Sequence, residues 1–384
     1  MSKNRGDNSV VVTGLGAITP LGHSVDELWD ALLEGQCATQ HWPDLEAGGF
    51  RIAHACRVRN FTTPDTKRGQ MLAIASAREA MTQAALSNHH RVGIYIGSTM
   101  GESAAFEQAA EGALFELSQS TIQVFPKAIQ QDLDLQGPTI AYGCACAAGN
   151  YAIGSAAQAI RSGEIDYAIA GGVEPFSKIA MLGFSRSRAM TSDYCRPFDA
   201  ERSGMQLGEG AAMLILESEA TALKRGVTPL AKIGPLGLTC DAYHPTAPRP
   251  DGSGMAAAMA QALATANLAP EMVDWVCAHG SGTRASDAAE TLALQNTFPH
   301  RPAITALKGA LGHALGASTA IQAVVAIQSL QKGLIPATIN FRTSDSESAL
   351  DIATKARQMT SLKRLISCGY AFGGINSALI MEVI

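Results

Sequence analysis

Short runs of β-branched and aliphatic residues alternate with Ala-rich stretches along the whole chain, a rhythm that predicts helices layered on a largely parallel sheet. Strands are expected at residues 9–13, 92–96, 167–170 and 211–216 in the first half. In the second half they are expected at 274–278, 303–306, 364–368 and 377–383, separated by helical patterns near 254–267, 285–297 and 315–332. This recurrence gives two similar halves, 1–225 and 226–384, meeting near Arg225 to Pro229. No short tandem period and no low-complexity linker divides them, so freely moving domains are not expected. The stretch from Gly309 to Gln331 has no Asp, Glu, Lys or Arg and is long enough to cross a bilayer. Its His313, Gln322, Gln328 and Gln331 suit a helix buried in a soluble protein better than one in lipid.

Composition narrows the picture. At 384 residues, and roughly 150 per domain, the chain has room for two domains or one large two-halved one. With 47% hydrophobic residues, only 5% aromatic and 37 Gly, the core must be built from small aliphatic side chains packed closely, and disorder is excluded. The net charge of −5 comes without any basic block, which argues against a nucleic-acid partner. Eight scattered cysteines and an amino terminus with no apolar signal core point to a reducing cytosol and a cytoplasmic protein. Gly14-Leu15-Gly16 follows the first strand, but the third glycine of a dinucleotide fingerprint would fall on Thr19, and Pro20 follows. A phosphate loop ending in Gly-Lys-Ser/Thr is also absent, so no nucleotide cofactor is implied.

Four segments carry candidate chemistry. In TIAYGCACAAGNYAIG at 139–154, an apolar run ends at Cys144-Ala-Cys146 and a small-residue helix begins. A cysteine at a helix start is expected to have a lowered pKa, and Ala147, Ala148 and Gly149 leave room for a substrate carbonyl. The same pair also reads as packed core thiols or as a Cys-x-Cys metal or redox site. His279 stands in Cys277-Ala-His279-Gly280-Ser281-Gly282-Thr283, where a strand ends in a Gly-rich turn, the edge at which layered α/β proteins collect ligands. His313 closes Leu307-Lys308-Gly-Ala-Leu-Gly312-His313 ahead of another small-residue helix. Ala371-Phe372-Gly373-Gly374-Ile375-Asn376 forms a tight turn that either presents backbone N–H groups to a site or simply joins two strands.

Taken together these segments resemble the elongating β-ketoacyl-acyl carrier protein synthases, condensing enzymes of fatty acid and type II polyketide pathways with the thiolase fold. The likeness covers nearly the whole chain: GLGAITPLG at 14–22, ACAAG at 145–149, AGGVEPFS at 170–177, RPFDAERSGMQLGEGAAMLILE at 196–217, AHGSGTRASDAAE at 278–290, LKGALGHALGA at 307–317 and AFGGIN at 371–376. The resemblance implies two βαβ halves in a layered α-β-α-β-α arrangement, with the nucleophile in the first half and two histidines in the second. It implies an acyltransferase that condenses an acyl thioester with malonyl-acyl carrier protein. Cys146 falls on the acyl-accepting nucleophile, His279 and His313 on the two catalytic histidines, and Lys308 on the family's lysine. Phe372 falls on the gating phenylalanine, whose N–H joins that of Cys146 in the oxyanion hole. Ser281, Thr283 and Gly373 fall on substrate contacts. No metal or dissociable cofactor is implied, because the substrate arrives on a carrier's phosphopantetheine arm. Partners implied are an acyl carrier protein and a second copy or a related ketosynthase-like subunit, with no nucleic acid and no membrane.

Departures from the pattern matter too. The family's fatty-acid members have a glutamate where this chain has Gln322, which deprives Lys308 of its acid partner. Asp287 and Glu290, three apart on one helix face, are expected to replace it, so that removing both charges disables the enzyme with folding intact. Lys67 and Arg68 are candidates for docking an acidic carrier. Competing readings are a degradative thiolase and a non-catalytic subunit that sets chain length for an active relative.

Overall fold

The computed structural model describes residues 9–87, 91–112, 116–345 and 349–384, so residues 1–8, read above for a signal core, lie outside them. Eleven strands join in one sheet: β1 (Val10–Ile18), β2 (Val92–Gly97), β3 (Thr139–Tyr142), β4 (Tyr167–Glu174), β5 (Gly210–Ser218), β6 (Ala231–Cys240), β7 (Trp275–Cys277), β8 (Ala303–Thr305), β9 (Asp351–Ile352), β10 (Arg364–Ala371) and β11 (Ile375–Glu382). Their spatial order is β9-β8-β7-β10-β11-β6-β1-β5-β4-β2-β3. All eight strands expected from sequence are present; β3, β6 and β9 were not expected.

The sheet is not largely parallel. Its two wings are, but the run from β10 through β11, β6, β1 and β5 to β4 is antiparallel at every step. Two of those five steps are made by the unexpected strand β6, against β11 and β1. Its sequence AKIGPLGLTC does not read as a strand, yet Pro235 sits where the pairing with β11 shifts register, which is where a central strand tolerates proline. Gly237 lets the strand approach a helix so closely that a Cβ there would meet Ala258 O at 2.0 Å.

Helices form three layers. One face of β1 and β5 is covered by α1 (Arg68–Gln83). Between the two wings lie α2 (Ala148–Ser162) and α6 (Ser318–Lys332), packed on each other and on strands of both. Outside the second wing, α4 (Ser253–Ala266) covers β6 and β11, and α5 (Arg284–Thr297) packs on α4. A shorter helix, α3 (Lys178–Arg186), follows β4. The charge-free segment singled out above is therefore the central layer, since Ser318 through Leu330 are all buried inside protein. Among the described residues no helix is long and apolar enough to cross a membrane. Gly149 permits the α2–α6 contact, because a Cβ there would meet Ala320 N at 2.7 Å. That contact brings the heads of both central helices together, and Cys146 and His313 precede them.

Candidate active site

Cys146 occupies a short 3₁₀ turn, Ala145–Ala147, that leads from β3 into α2. Ala145, just before it, holds the left-handed conformation at φ 47°, a strain of the kind found where a backbone must aim a functional side chain. Cys146 is 8% exposed and lines a cavity of about 450 Å³. His279, Ser281, Thr283, His313 and Phe372 line the same cavity. Cys144 does not, and no His, Cys, Asp or Glu group able to hold a metal occurs among the described residues.

The resting thiol corrects the sequence reading. Burial pushes Cys146 up to about 12, and the nearby Glu174 carboxylate adds to the rise, while the Lys308 charge and the turn's N–H oppose it too weakly to win. Cys146 is therefore a thiol until substrate arrives. Alkylation of Cys146 by iodoacetamide is expected to accelerate about tenfold per pH unit between about pH 7 and 10, without a plateau. A plateau below about pH 8 would show a low-pKa thiolate instead.

Each histidine is held by its own turn. His279 follows β7 in a turn with Gly280 at φ 43° and Gly282 at φ 77°. Glu290 accepts the His279 and Gly280 N–H groups at 2.8 Å each, and Asp287 accepts the Phe198 N–H at 2.8 Å, the Gly282 N–H at 3.1 Å and the Ser281 hydroxyl at 3.1 Å. Tyr370 N–H donates to His279 Nδ1 at 3.3 Å. Leu315 N–H donates to His313 Nδ1 at 3.1 Å, with Ser318 Oγ 3.0 Å from the same nitrogen. A backbone N–H can only donate, so each neutral ring carries its proton on Nε2. The rings stand edge to face with centroids 5.4 Å apart. Burial, reinforced by the Lys308 charge, holds both histidines well below the usual imidazole range. Lys308 itself is buried behind them, donating to His279 O at 2.5 Å.

Other expected residues divide. Phe372 is 39% exposed at the cavity wall, its ring 5.4 Å from that of Phe184 on α3. Gly373 adopts φ 82°, but its N–H donates to Pro245 O at 2.7 Å and it does not line the cavity, so it is a turn residue. Ser281 and Thr283 hydroxyls lie on the wall 2.8 Å apart. Asp287 and Glu290 form no ion pair with Lys308 among the described residues; they cap the His279 turn, and Glu290 reaches Lys308 only through its field. Glu290→Gln replaces an acceptor with a donor facing an N–H, a change worth about 1–3 kcal/mol of stability. A lowered urea midpoint is the expected result, in place of intact folding. Arg68 is not a docking residue either: it pairs with the buried Glu209 at 2.7 Å and donates to Val58 O and Phe61 O, leaving Lys67 exposed beside it.

Sequence reasoning missed Tyr370 and Glu174. Tyr370 fixes a tautomer through its backbone, for which no side-chain signal exists. Glu174 is wholly buried and accepts N–H groups of Thr99, Met100 and Gly316 at 2.8 Å, tying the head of α6 to the loop after β2. Burial pushes its carboxyl up to about 7.

Residues 7–222 match the family "Beta-ketoacyl synthase, N-terminal domain" and residues 230–342 match "Beta-ketoacyl synthase, C-terminal domain". Nodulation protein E of Rhizobium meliloti (strain 1021) is 33% identical over 401 residues, covering 98% of this chain and 99% of that protein. The 3-oxoacyl-[acyl-carrier-protein] synthase 2 of Coxiella burnetii is 33% identical over 406 residues, covering 97% of this chain and 98% of its own. Among solved structures, one described as the ishigamide ketosynthase/chain length factor superposes with a TM-score of 0.92 at 33% identity, over 99% of this chain and 100% of that one.

Proposed function

The chain belongs to the β-ketoacyl synthase family, and from that premise we propose that it condenses an acyl thioester with malonyl-acyl carrier protein to give 3-ketoacyl-acyl carrier protein. The observation that supports this most is one cavity lined by the Cys146 sulfur and two imidazoles whose Nε2–H tautomers are fixed from behind.

In the first half-reaction Cys146 attacks the acyl carbonyl. The new S–C bond forms, the bond to the carrier's sulfur breaks, and the thiol proton ends on the departing arm. Backbone N–H groups of Cys146 and Phe372 hold the oxyanion between these events. Malonyl thioester then loses CO₂, and the Nε2–H groups of His279 and His313 bond the enolate oxygen as its charge develops. The enolate carbon attacks the stored acyl group, forming the C–C bond and returning the Cys146 sulfur, which takes up one proton. Neutral histidines donate these bonds without quenching the carbanion, which is what the depressed pKa values favour.

Ser281 and Thr283 offer hydroxyls along the wall for the amides of the phosphopantetheine arm. The relative from Coxiella is named for an acyl carrier protein, and such a carrier is the partner that would deliver the thioester here. Edge strand β3, with Ile140 exposed, provides an unpaired ladder for a second copy or a related ketosynthase-like subunit. Retention of the sulfur and both imidazoles argues against a subunit that only sets chain length. Supplying acyl-carrier and malonyl-carrier together is expected to release CO₂ and yield a 3-ketoacyl product; a folded protein that yields neither contradicts the proposal.

A further inference from the structure

Behind the two histidines lies a second, much smaller cavity of about 10 Å³, lined by Lys308, Ser318, Gln322 and apolar neighbours. Gln322 is buried on the second turn of α6, four residues after Ser318 and so on the same helix face. Its Nε2 is surrounded by the carbonyls of Cys277 at 3.3 Å, Ala278 at 3.3 Å and Cys368 at 3.1 Å, which fixes the amide's orientation. Its Oε1 is buried and has no partner. Lys308 Nζ uses one proton on His279 O at 2.5 Å and lies 3.5 Å from His279 Nδ1, and an ammonium has three protons to place. Ser318 Oγ lies 3.0 Å from His313 Nδ1, which has only a lone pair to offer, so the hydroxyl donates there and keeps its own lone pairs free to accept.

We propose that this cavity holds one ordered water molecule that accepts from Lys308 Nζ and donates to Gln322 Oε1 and Ser318 Oγ, making Gln322 a positioning residue for the supports of both histidines. The volume matches a single water, for which roughly 10–15 Å³ is required, and three polar partners are the usual complement. The inference rests on the condensing reading above for its functional meaning, although the water itself does not.

A neutral partner has a consequence. Around Lys308 stand Glu290 on α5, Cys146 before α2, Cys277 at the end of β7, Cys195, and the two histidines. None of these is a carboxylate in contact with the ammonium among the described residues, so its field adds to burial in holding both rings neutral. Gln322→Glu turns one carboxylate oxygen toward the water and Lys308, while the other faces the Cys277, Ala278 and Cys368 carbonyls that Nε2 served, so some stability is lost as well. The lysine charge is then better held and its effect on the histidines partly cancelled, which moves both limbs of the pH–rate profile upward.

The test has two arms. A crystal structure of the unaltered protein at high resolution is expected to show a water within hydrogen-bond distance of Lys308 Nζ, Gln322 Oε1 and Ser318 Oγ; a dry cavity overturns the proposal whether or not the protein condenses anything. For Gln322→Glu, the profile is expected to shift by about one unit, seen as about tenfold lower turnover at a fixed pH on the acid flank. A loss equal at every pH, which a packing defect alone produces, overturns it. If that variant does not fold, the density at the cavity decides.

Discussion

Cys146→Ala is expected to abolish acyl transfer to the protein and to lower condensation by at least about 10⁴-fold, while CO₂ release from malonyl-carrier continues. The split follows from the division of labour in the cavity. Only the sulfur can store the acyl group, whereas decarboxylation depends on hydrogen bonds to the enolate oxygen from imidazoles held by other segments. His279 is fixed by Tyr370 and Lys308 and His313 by Leu315 and Ser318, so truncating a small residue on a third segment leaves both in place. Scintillation counting of released carboxyl label beside product analysis checks both halves. Equal loss of both activities would mean that the sulfur takes part in decarboxylation.

The second large effect concerns those imidazoles. His279→Ala and His313→Ala are each expected to slow CO₂ release by about 10²–10³-fold, the usual cost of one preorganised donor, and the double variant by less than the product. Acylation of Cys146 should survive better than decarboxylation in both. The pH dependence has a definite sign. Burial and the Lys308 charge depress both histidines, so lowering pH through 6.5 does not protonate them, and decarboxylation is expected to stay level there and fall only well below it. A midpoint near 6.5 in the rate profile would show ordinary, solvated imidazoles.

Much of this architecture is readable from the chain. Strands such as β2 and β4 announce themselves because β-branched residues run between turn signals, and α6 does so through a long charge-free stretch with isolated glutamines. β6 stays hidden, since Gly234, Pro235 and Gly237 break the pattern and only the bulge and the close helix explain them. The same boundary runs through the site. Cys146, His279 and His313 stand out by their glycine and alanine neighbours, and the fold does bring the three to one cavity. What sequence could not show is where backbone hydrogen bonds go. Gly373 spends its N–H on Pro245, Asp287 and Glu290 spend their oxygens on a turn, and Arg68 is consumed by Glu209. Nor could it weigh burial against a helix start at the thiol, where burial wins.

The most direct measurement is mass spectrometry of the intact protein after brief exposure to an acyl-carrier thioester, followed by peptide mapping and then by addition of malonyl-carrier. One acyl group on Cys146, discharged when malonyl-carrier is added, is the expected result. An adduct on Cys144 or Cys240 in place of Cys146, or one that malonyl-carrier leaves untouched, would contradict the condensing mechanism built on this cavity.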